Sequence, residues 1–295
     1  MPCYHPLKAY RTSTGVCFSA LGRFDIVGDI ELPCGRCIGC RMRRASDWEL
    51  RVMHEASLHE RSCFVTLTYG PGKLPPHGSL CHRDFQLFMK SLRRWAKKPV
   101  RFYMCGEYGP LNGRPHYHAC LFGVDFDDSV LAGRSGSGND FRTSATLSRL
   151  WPHGTATVQV LVRETASYCA RYIMKKVLGD GAEAAYTRID SDGVMHSIKP
   201  EYAAMSLKPG IGAGWYAKFG SDVFPGDRVV ANGVERRVPR YYDKLAVRAG
   251  VDLDGVEYAR VVRARATIPD STPERLEVRE KVHSARVSKL VRGDI

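Results

Sequence analysis

The 295-residue chain lacks any run approaching the ~18 uninterrupted apolar residues that a membrane-spanning helix needs, so a helical transmembrane protein is not expected. Its first residues, Met1-Pro2-Cys3-Tyr4-His5-Pro6, have neither the charged start nor the apolar stretch of a secretory signal, and the protein is expected to stay where it is made. There are no internal repeats. Acidic residues are the scarce charge: 31 Asp and Glu stand against 44 Lys and Arg, for a formal net charge of +13. Such an excess points to a polyanionic partner, either nucleic acid or an anionic membrane surface, and charge alone does not choose between them. Hydrophobic residues make up 44% of the chain, too many for a disordered protein and enough for a buried core in one large or two modest domains.

Ten cysteines in a chain of this kind do not read as a disulfide framework. Their spacing is more informative. Cys34-Gly35-Arg36-Cys37-Ile38-Gly39-Cys40 is a Cys-x-x-Cys-x-x-Cys run whose glycines let the backbone turn three sulfurs toward one point. Three thiolates can share a tetrahedral Zn²⁺, and a closed structural site needs a fourth ligand. Cys3, His5 and Cys17 are the upstream candidates, with Cys3 taken as the expected one; redox or iron–sulfur use and plain reduced thiols are the alternatives. Cys63, Cys81, Cys105, Cys120 and Cys169 sit in apolar stretches and read as small core residues.

Residues 41–61 space Trp48, Leu50, Val52, Met53 and Leu58 as a helix does, with Arg41, Arg43 and Arg44 at its entry. Ser62 to Tyr69 is rich in β-branched and aromatic residues and closed by Gly70-Pro71-Gly72, a strand followed by a turn. Between Arg83 and Lys98, Phe85, Phe88, Met89, Leu92 and Trp95 recur at three and four residues, predicting an amphipathic helix with Lys90, Arg94, Lys97 and Lys98 outward. Val100–Gly106 and Pro115–Phe122 read as a hairpin, residues 127–140 as a mobile polar loop, Leu147–Trp151 as a short helix and Thr155–Val162 as a strand. A helix is expected over Glu164–Leu178, and a last one opening at Thr272-Pro273-Glu274. Helices interspersed with an adjacent hairpin fit an α+β fold, with a central antiparallel sheet, flanking helices, an N-terminal Cys-rich extension and a helical C-terminal region. The expected division is 1–60, 61–180 and 181–295.

Chemistry concentrates in two places. In Arg114-Pro115-His116-Tyr117-His118, strand alternation points His116 and His118 to one side and Tyr117 to the other. Glu107, at the end of the preceding strand, can complete a two-histidine, one-carboxylate set with open coordination positions. On the helix after residue 163, Tyr168 and Tyr172 stand one turn apart, and each is followed three residues later by a cation, Arg171 or Lys175. A neighbouring cation favours the phenolate of a residue whose ordinary pKa is about 10.

Taken in order, Phe64-Val65-Thr66-Leu67-Thr68-Tyr69, Glu107 with His116-Tyr117-His118, and Tyr168-x-x-x-Tyr172-x-x-Lys175 resemble the three motifs of the HUH endonuclease superfamily, the rolling-circle replication initiators. The flanking Cys34-Gly35-x-Cys37-x-x-Cys40, Pro209-Gly210-Ile211-Gly212 and Pro239-Arg240-Tyr241-Tyr242-Asp243-Lys244 resemble the initiators of gokushovirus-like microviruses, and the likeness spans most of residues 1–248. Tyr117 replaces the bulky aliphatic between the histidines, on the side facing away from the metal.

The resemblance implies a metal-dependent, two-tyrosine DNA endonuclease and strand transferase. Mg²⁺ or Mn²⁺ would be held by Glu107, His116 and His118. Tyr168 and Tyr172 would serve as nucleophiles, and Lys175, with Lys176 as the alternative, would assist them. Single-stranded and replicative-form phage DNA, a host helicase and a host polymerase are the expected partners, in the cytoplasm of a bacterial host, with no membrane involved. No Gly-x-x-x-x-Gly-Lys-Ser/Thr loop is present, so unwinding is assigned to a partner. A non-catalytic, zinc-containing DNA-binding protein, a plasmid relaxase-type nuclease and a hydrolase of small phosphate esters or RNA are the competing readings.

Overall fold

The computed structural model describes residues 3–110, 112–135, 138–171, 176–177 and 179–289; Tyr172 and Lys175 lie outside the described residues. The chain begins with β1 (Leu7–Thr12), β2 (Gly15–Cys17), β3 (Ile26–Leu32) and α1 (Ile38–Ala56). There follow β4 (Ser62–Tyr69), α2 (His82–Ala96), β5 (Arg101–Tyr108), β6 (Pro115–Phe122), β7 (Val130–Arg134), β8 (Asp140–Thr143), α3 (Ala145–Leu150), β9 (Gly154–Val160) and α4 (Arg163–Arg171). The remainder holds α5 (Ala182–Ala185), β10 (Thr187–Ile189), β11 (Met195–Ser197), β12 (Tyr202–Met205), α6 (Ala213–Val223), β13 (Val229–Ala231), β14 (Val234–Arg236), α7 (Arg240–Arg248), α8 (Asp254–Arg265) and α9 (Pro273–Ser288). The described residues fall into two compact units, one drawn from Met1–Arg44 and Glu257–Val291, the other from Ala45–Val256. Among the described residues no helix is long and apolar enough to cross a membrane.

The larger unit is α+β, built on a seven-stranded sheet of order β12-β5-β6-β4-β9-β8-β7 in which every pairing is antiparallel. β4 leads through α2 to β5, and β6 then returns between them, a split β-α-β arrangement. Because the middle strands are covered on both faces, they read as almost continuous apolar runs. Cys63, Val65, Leu67 and Tyr69 of β4 join Tyr117 of β6 and Phe85, Phe88, Met89 and Leu92 of α2 in one core. Phe64, Cys105, Cys120 and Phe122 point the other way and pack with Val52 of α1 and Ala166 and Cys169 of α4. The amphipathic spacing of α2 thus buries one face against the sheet, and a left-handed Lys97 ends the helix. α1 is tied to the same unit by the Glu55 carboxylate, which accepts from Arg101 Nε at 2.5 Å and from the Gly212 amide at 2.8 Å.

The smaller unit contains the antiparallel sheet β2-β1-β3, the start of α1, most of α8 and α9. α9 opens as its sequence suggests: the Thr272 hydroxyl accepts from the Arg275 amide, and Pro273 fills a first-turn position that needs no donor. Its buried side chains among the described residues are Tyr4, Ala9, Thr12, Cys37 and Leu276. Full burial of a large apolar side chain is worth about 2 kcal/mol. The larger unit has many such groups, whereas this one has Tyr4 and Leu276.

Residues 127–140, expected as a mobile loop, instead carry the edge hairpin β7–β8, whose register shifts between Leu131 and Gly133. Val130 and Leu131 are exposed, so no buried alternation marks the strand. Gly133 is there because a Cβ would lie 2.9 Å from the Phe141 ring.

Candidate active site

Strand register assembles the central cluster. Across β5 and β6, Glu107 faces His116 and Cys105 faces His118; across β6 and β4, His116 faces Thr68 and His118 faces Thr66. Paired residues of an antiparallel ladder put their side chains on the same face. Glu107, His116, His118 and Thr66 therefore share the face that also carries Phe64. Glu107 Oε1 lies 2.5 Å from His116 Nε2 and 3.1 Å from His118 Nε2. The Glu107 and His118 side chains are each 1% exposed and that of His116 is 13% exposed, so the cluster opens to solvent on the His116 side.

Hydrogen bonding fixes which nitrogen of each ring is available. His116 Nδ1 is 3.1 Å from the Arg114 carbonyl oxygen, which can only accept, so Nδ1 carries the hydrogen. The Nε2 of His116 is therefore the nitrogen that faces the Glu107 carboxylate. His118 Nδ1 is 3.0 Å from the Thr66 hydroxyl, leaving its Nε2 toward Glu107. Burial pushes the Glu107 carboxyl up, but the hydrogen bonds and charges of His116 and His118 overcome this and bring it down to about 2. The residue is a carboxylate at neutral pH. Ligand atoms of Glu107, His116 and His118 lie within 4.8 Å of one another, and two imidazoles with one carboxylate on a single side suit a divalent ion that keeps open positions. The donor set fits the Mg²⁺ or Mn²⁺ expected from sequence, and its two nitrogens favour Mn²⁺.

α4 carries Tyr168 to this cluster. Its buried residues Thr165, Ala166, Cys169 and Ala170 are small, so the helix lies close to the sheet. The Cys169 thiol donates to the His118 carbonyl oxygen at 3.6 Å, and Arg163 Nε donates to Glu49 of α1 at 2.7 Å. The Tyr168 ring consequently stands edge-on to His118 at 5.1 Å between centroids and edge-on to Phe64 at 6.2 Å. Tyr172 and Lys175, the other two residues expected to act here, lie outside the described residues.

The basic helix α2 is placed elsewhere. Its apolar face packs on the side of the sheet lined by Tyr117, so exposed Lys90, Arg94, Lys97 and Lys98 lie across the sheet from Glu107 and the histidines. Thr66, by contrast, sits within the cluster and has no signal of its own in the sequence. Only the pairing of β4 with β6 marks it, because threonine is an ordinary strand residue.

A family model described as "Replication-associated protein ORF2/G2P" matches residues 62–177, a span that includes Thr66, Glu107, both histidines and Tyr168. The chain is 31% identical over 252 residues to replication-associated protein VP4 of Bdellovibrio phage phiMH2K, covering 82% of this chain and 76% of that protein. The chain belongs to the family of phage replication-associated proteins. It is also 29% identical over 297 residues to replication-associated protein ORF2 of Spiroplasma virus 4, covering 90% of this chain and 86% of that protein. To replication-associated protein ORF4 of Chlamydia phage 1 it is 28% identical over 267 residues, covering 84% and 63%. No solved structure matches the chain. The family-model match begins at β4 and takes in the strands that position the cluster, whereas the Cys34–Cys40 run lies outside it.

Proposed function

We propose that this family member initiates rolling-circle replication of a small phage genome by nicking single-stranded origin DNA and later rejoining it. The observation that carries the reading is the convergence of Glu107, His116 and His118 beside Tyr168. Mg²⁺ or Mn²⁺ bound there would polarise the scissile phosphate and stabilise charge on the departing 3′ oxygen. Glu107 supplies the anionic ligand, His116 and His118 the neutral ones, and the exposed edge of His116 is where a phosphate approaches.

Tyr168 or Tyr172 attacks phosphorus. The tyrosyl oxygen–phosphorus bond forms as the bond from phosphorus to the 3′ oxygen breaks, and the 3′ oxygen takes up a proton as a hydroxyl. The phosphodiester energy is conserved in a 5′-phosphotyrosine, while the free 3′ hydroxyl primes synthesis. Two tyrosines at helical spacing suit a second attack that closes the round. Lys175, or Lys176, neutralises charge on phosphate or phenolate. The +13 charge gives salt-sensitive, largely sequence-tolerant hold on single-stranded and replicative-form DNA. A host helicase and polymerase supply unwinding and extension in the host cytoplasm.

The test is incubation of the full chain with a single-stranded oligonucleotide from its own phage origin and Mn²⁺. A covalent protein–DNA adduct is expected, lost in the Tyr168→Phe/Tyr172→Phe double variant. Cleavage by that double variant at the parental rate, or no adduct at all, overturns the proposal.

A further inference from the structure

The smaller unit holds a second convergence of metal-binding groups, chemically unlike the first. The sulfurs of Cys3, Cys34, Cys37 and Cys40 all lie within 4.8 Å of one another, with Cys3 and Cys37 at 4.0 Å. Four thiolates around Zn²⁺ at ~2.3 Å stand roughly 3.8 Å apart, so the cage is close to the size of the ion's own coordination shell. We infer that Cys3, Cys34, Cys37 and Cys40 bind one structural Zn²⁺ and that this ion is the main fastening of the unit.

The backbone is arranged for sulfur that carries negative charge. Gly35, at φ +74, turns the loop in a way other residues resist, and the amides of Arg36 and Cys37 then donate to Cys34 Sγ at 3.4 and 3.3 Å. The Cys34 amide donates to Cys3 Sγ at 3.2 Å, and the Tyr4 amide donates to Cys37 Sγ at 3.4 Å. The N-terminal segment and the loop thus exchange amide–sulfur bonds in both directions. Such donors stabilise thiolates over thiols and orient them as ligands.

The fourth ligand is settled by position. His5 Nε2 is engaged with Glu280 at 2.7 Å, and the Cys17 thiol with the Ser19 carbonyl at 3.3 Å, so neither joins the sulfur cluster. Four sulfurs leave no open coordination position, and so no place for a substrate, which makes the site structural rather than catalytic.

What the ion fastens is also visible. Cys3 is followed by Tyr4, whose hydroxyl meets His283 Nδ1 of α9 at 2.9 Å and whose ring packs in a cluster with Cys37 and Leu276. Beyond Tyr4 and the His5–Glu280 pair, the unit has few buried apolar side chains to join residues 3–40 to α9. A soft, fully sulfur site selects zinc over the Mg²⁺ or Mn²⁺ suited to Glu107, His116 and His118.

The test uses the full chain, expressed with zinc available and purified without chelator. Elemental analysis is expected to give about one zinc per chain. Cys3→Ser and Cys37→Ser should each lower that several-fold, while Cys17→Ser, His5→Ala and Glu107→Gln should leave it unchanged. Since a cysteine variant can fail to fold, the parent chain loaded with Co²⁺ supplies a second reading: intense tetrahedral bands with a sulfur-to-cobalt charge-transfer absorption. Releasing the metal with a mercurial should expose residues 3–40 and 257–289 to trypsin at least several-fold faster, leaving 62–160 protected. Zinc far below one per chain, iron in its place, no sulfur-to-cobalt band, or zinc lost with Cys17→Ser but kept with Cys3→Ser overturns the inference. None of these readings depends on DNA cleavage, so they stand or fall apart from the proposed nuclease.

Discussion

The two convergences differ in how the chain builds them and in what they leave open. Glu107, His116 and His118 come from adjacent strands of a sheet buried on both faces, where register fixes each side chain to within a hydrogen-bond length. Three mixed N and O donors gather there, fewer than the full coordination shell of a divalent ion. The cysteine cluster takes three ligands from one seven-residue loop and the fourth from 31 residues upstream, and it closes round its centre. A packed sheet can hold an incomplete coordination shell, because the surrounding core bears the cost. In a unit with few buried apolar groups a complete shell would let metal–ligand bonds supply the stability that burial does not.

The most severe way to break this contrast is to remove ligands from the open site. His118→Ala should lower Mn²⁺-dependent cleavage by about a thousand-fold or more, since phosphate polarisation and ligand geometry are lost together. Its zinc content should be unchanged. Cleavage kept within ten-fold of the parent, measured on the origin oligonucleotide, would separate the histidines from the chemistry. A gentler operation acts on both sites at once. Brief dialysis against EDTA should abolish cleavage, and adding Mn²⁺ back should restore it with zinc still bound, because an open N and O site exchanges far faster than a closed sulfur one. Loss of zinc at the same rate as activity would erase the distinction.

Much of the open site was legible because its determinants are local. Ser62–Tyr69 and Pro115–Phe122 appear in the structure with the expected bounds, since strands buried on both faces carry an almost continuous apolar signal. Alternation within Pro115–Phe122 is enough to put His116 and His118 on one side and Tyr117 in the opposite core. What stayed hidden depends on pairing between distant segments. The hydroxyl of Thr66 reaches His118 only because β4 lies beside β6, 52 residues away in sequence. β1 to β3 are short and mostly exposed, and nothing in residues 273–288 points to Tyr4. Lys90, Arg94, Lys97 and Lys98 lie outward as the spacing of α2 predicts, but a charge pattern on a helix does not say which side of a sheet the helix will cover.

Thr66 offers a finer division between holding a ligand and being one. Thr66→Val keeps the shape of the side chain and removes the hydroxyl that orients His118. It should weaken Mn²⁺ binding by about 10- to 100-fold, the usual loss when the outer partner of a ligating imidazole is removed. Raised Mn²⁺ should restore cleavage, and Thr66→Ser should behave nearly as the parent does. An unchanged Mn²⁺ dependence in Thr66→Val, measured by titrating cleavage, would leave Thr66 as packing alone.

The smallest effect comes from a histidine that neither convergence uses. His54 is buried in the larger unit, stacked on Trp215 at 3.6 Å between centroids, with Nδ1 2.7 Å from the Tyr242 hydroxyl. Burial lowers its pKa to about 4, against about 6.5 in the unfolded chain. Between those values the unfolded chain binds the proton that the native one refuses. His54 therefore adds stability in full above pH 6.5, and that contribution drains away as pH falls toward 4. Urea unfolding of His54→Gln should show a pH dependence flatter than the parent's by about 1 kcal/mol per pH unit in this window, and equal slopes would mean that His54 titrates normally. The contrast with His118 is chemical: that imidazole has the Glu107 carboxylate beside it, whereas His54 is enclosed by aromatic rings and held neutral.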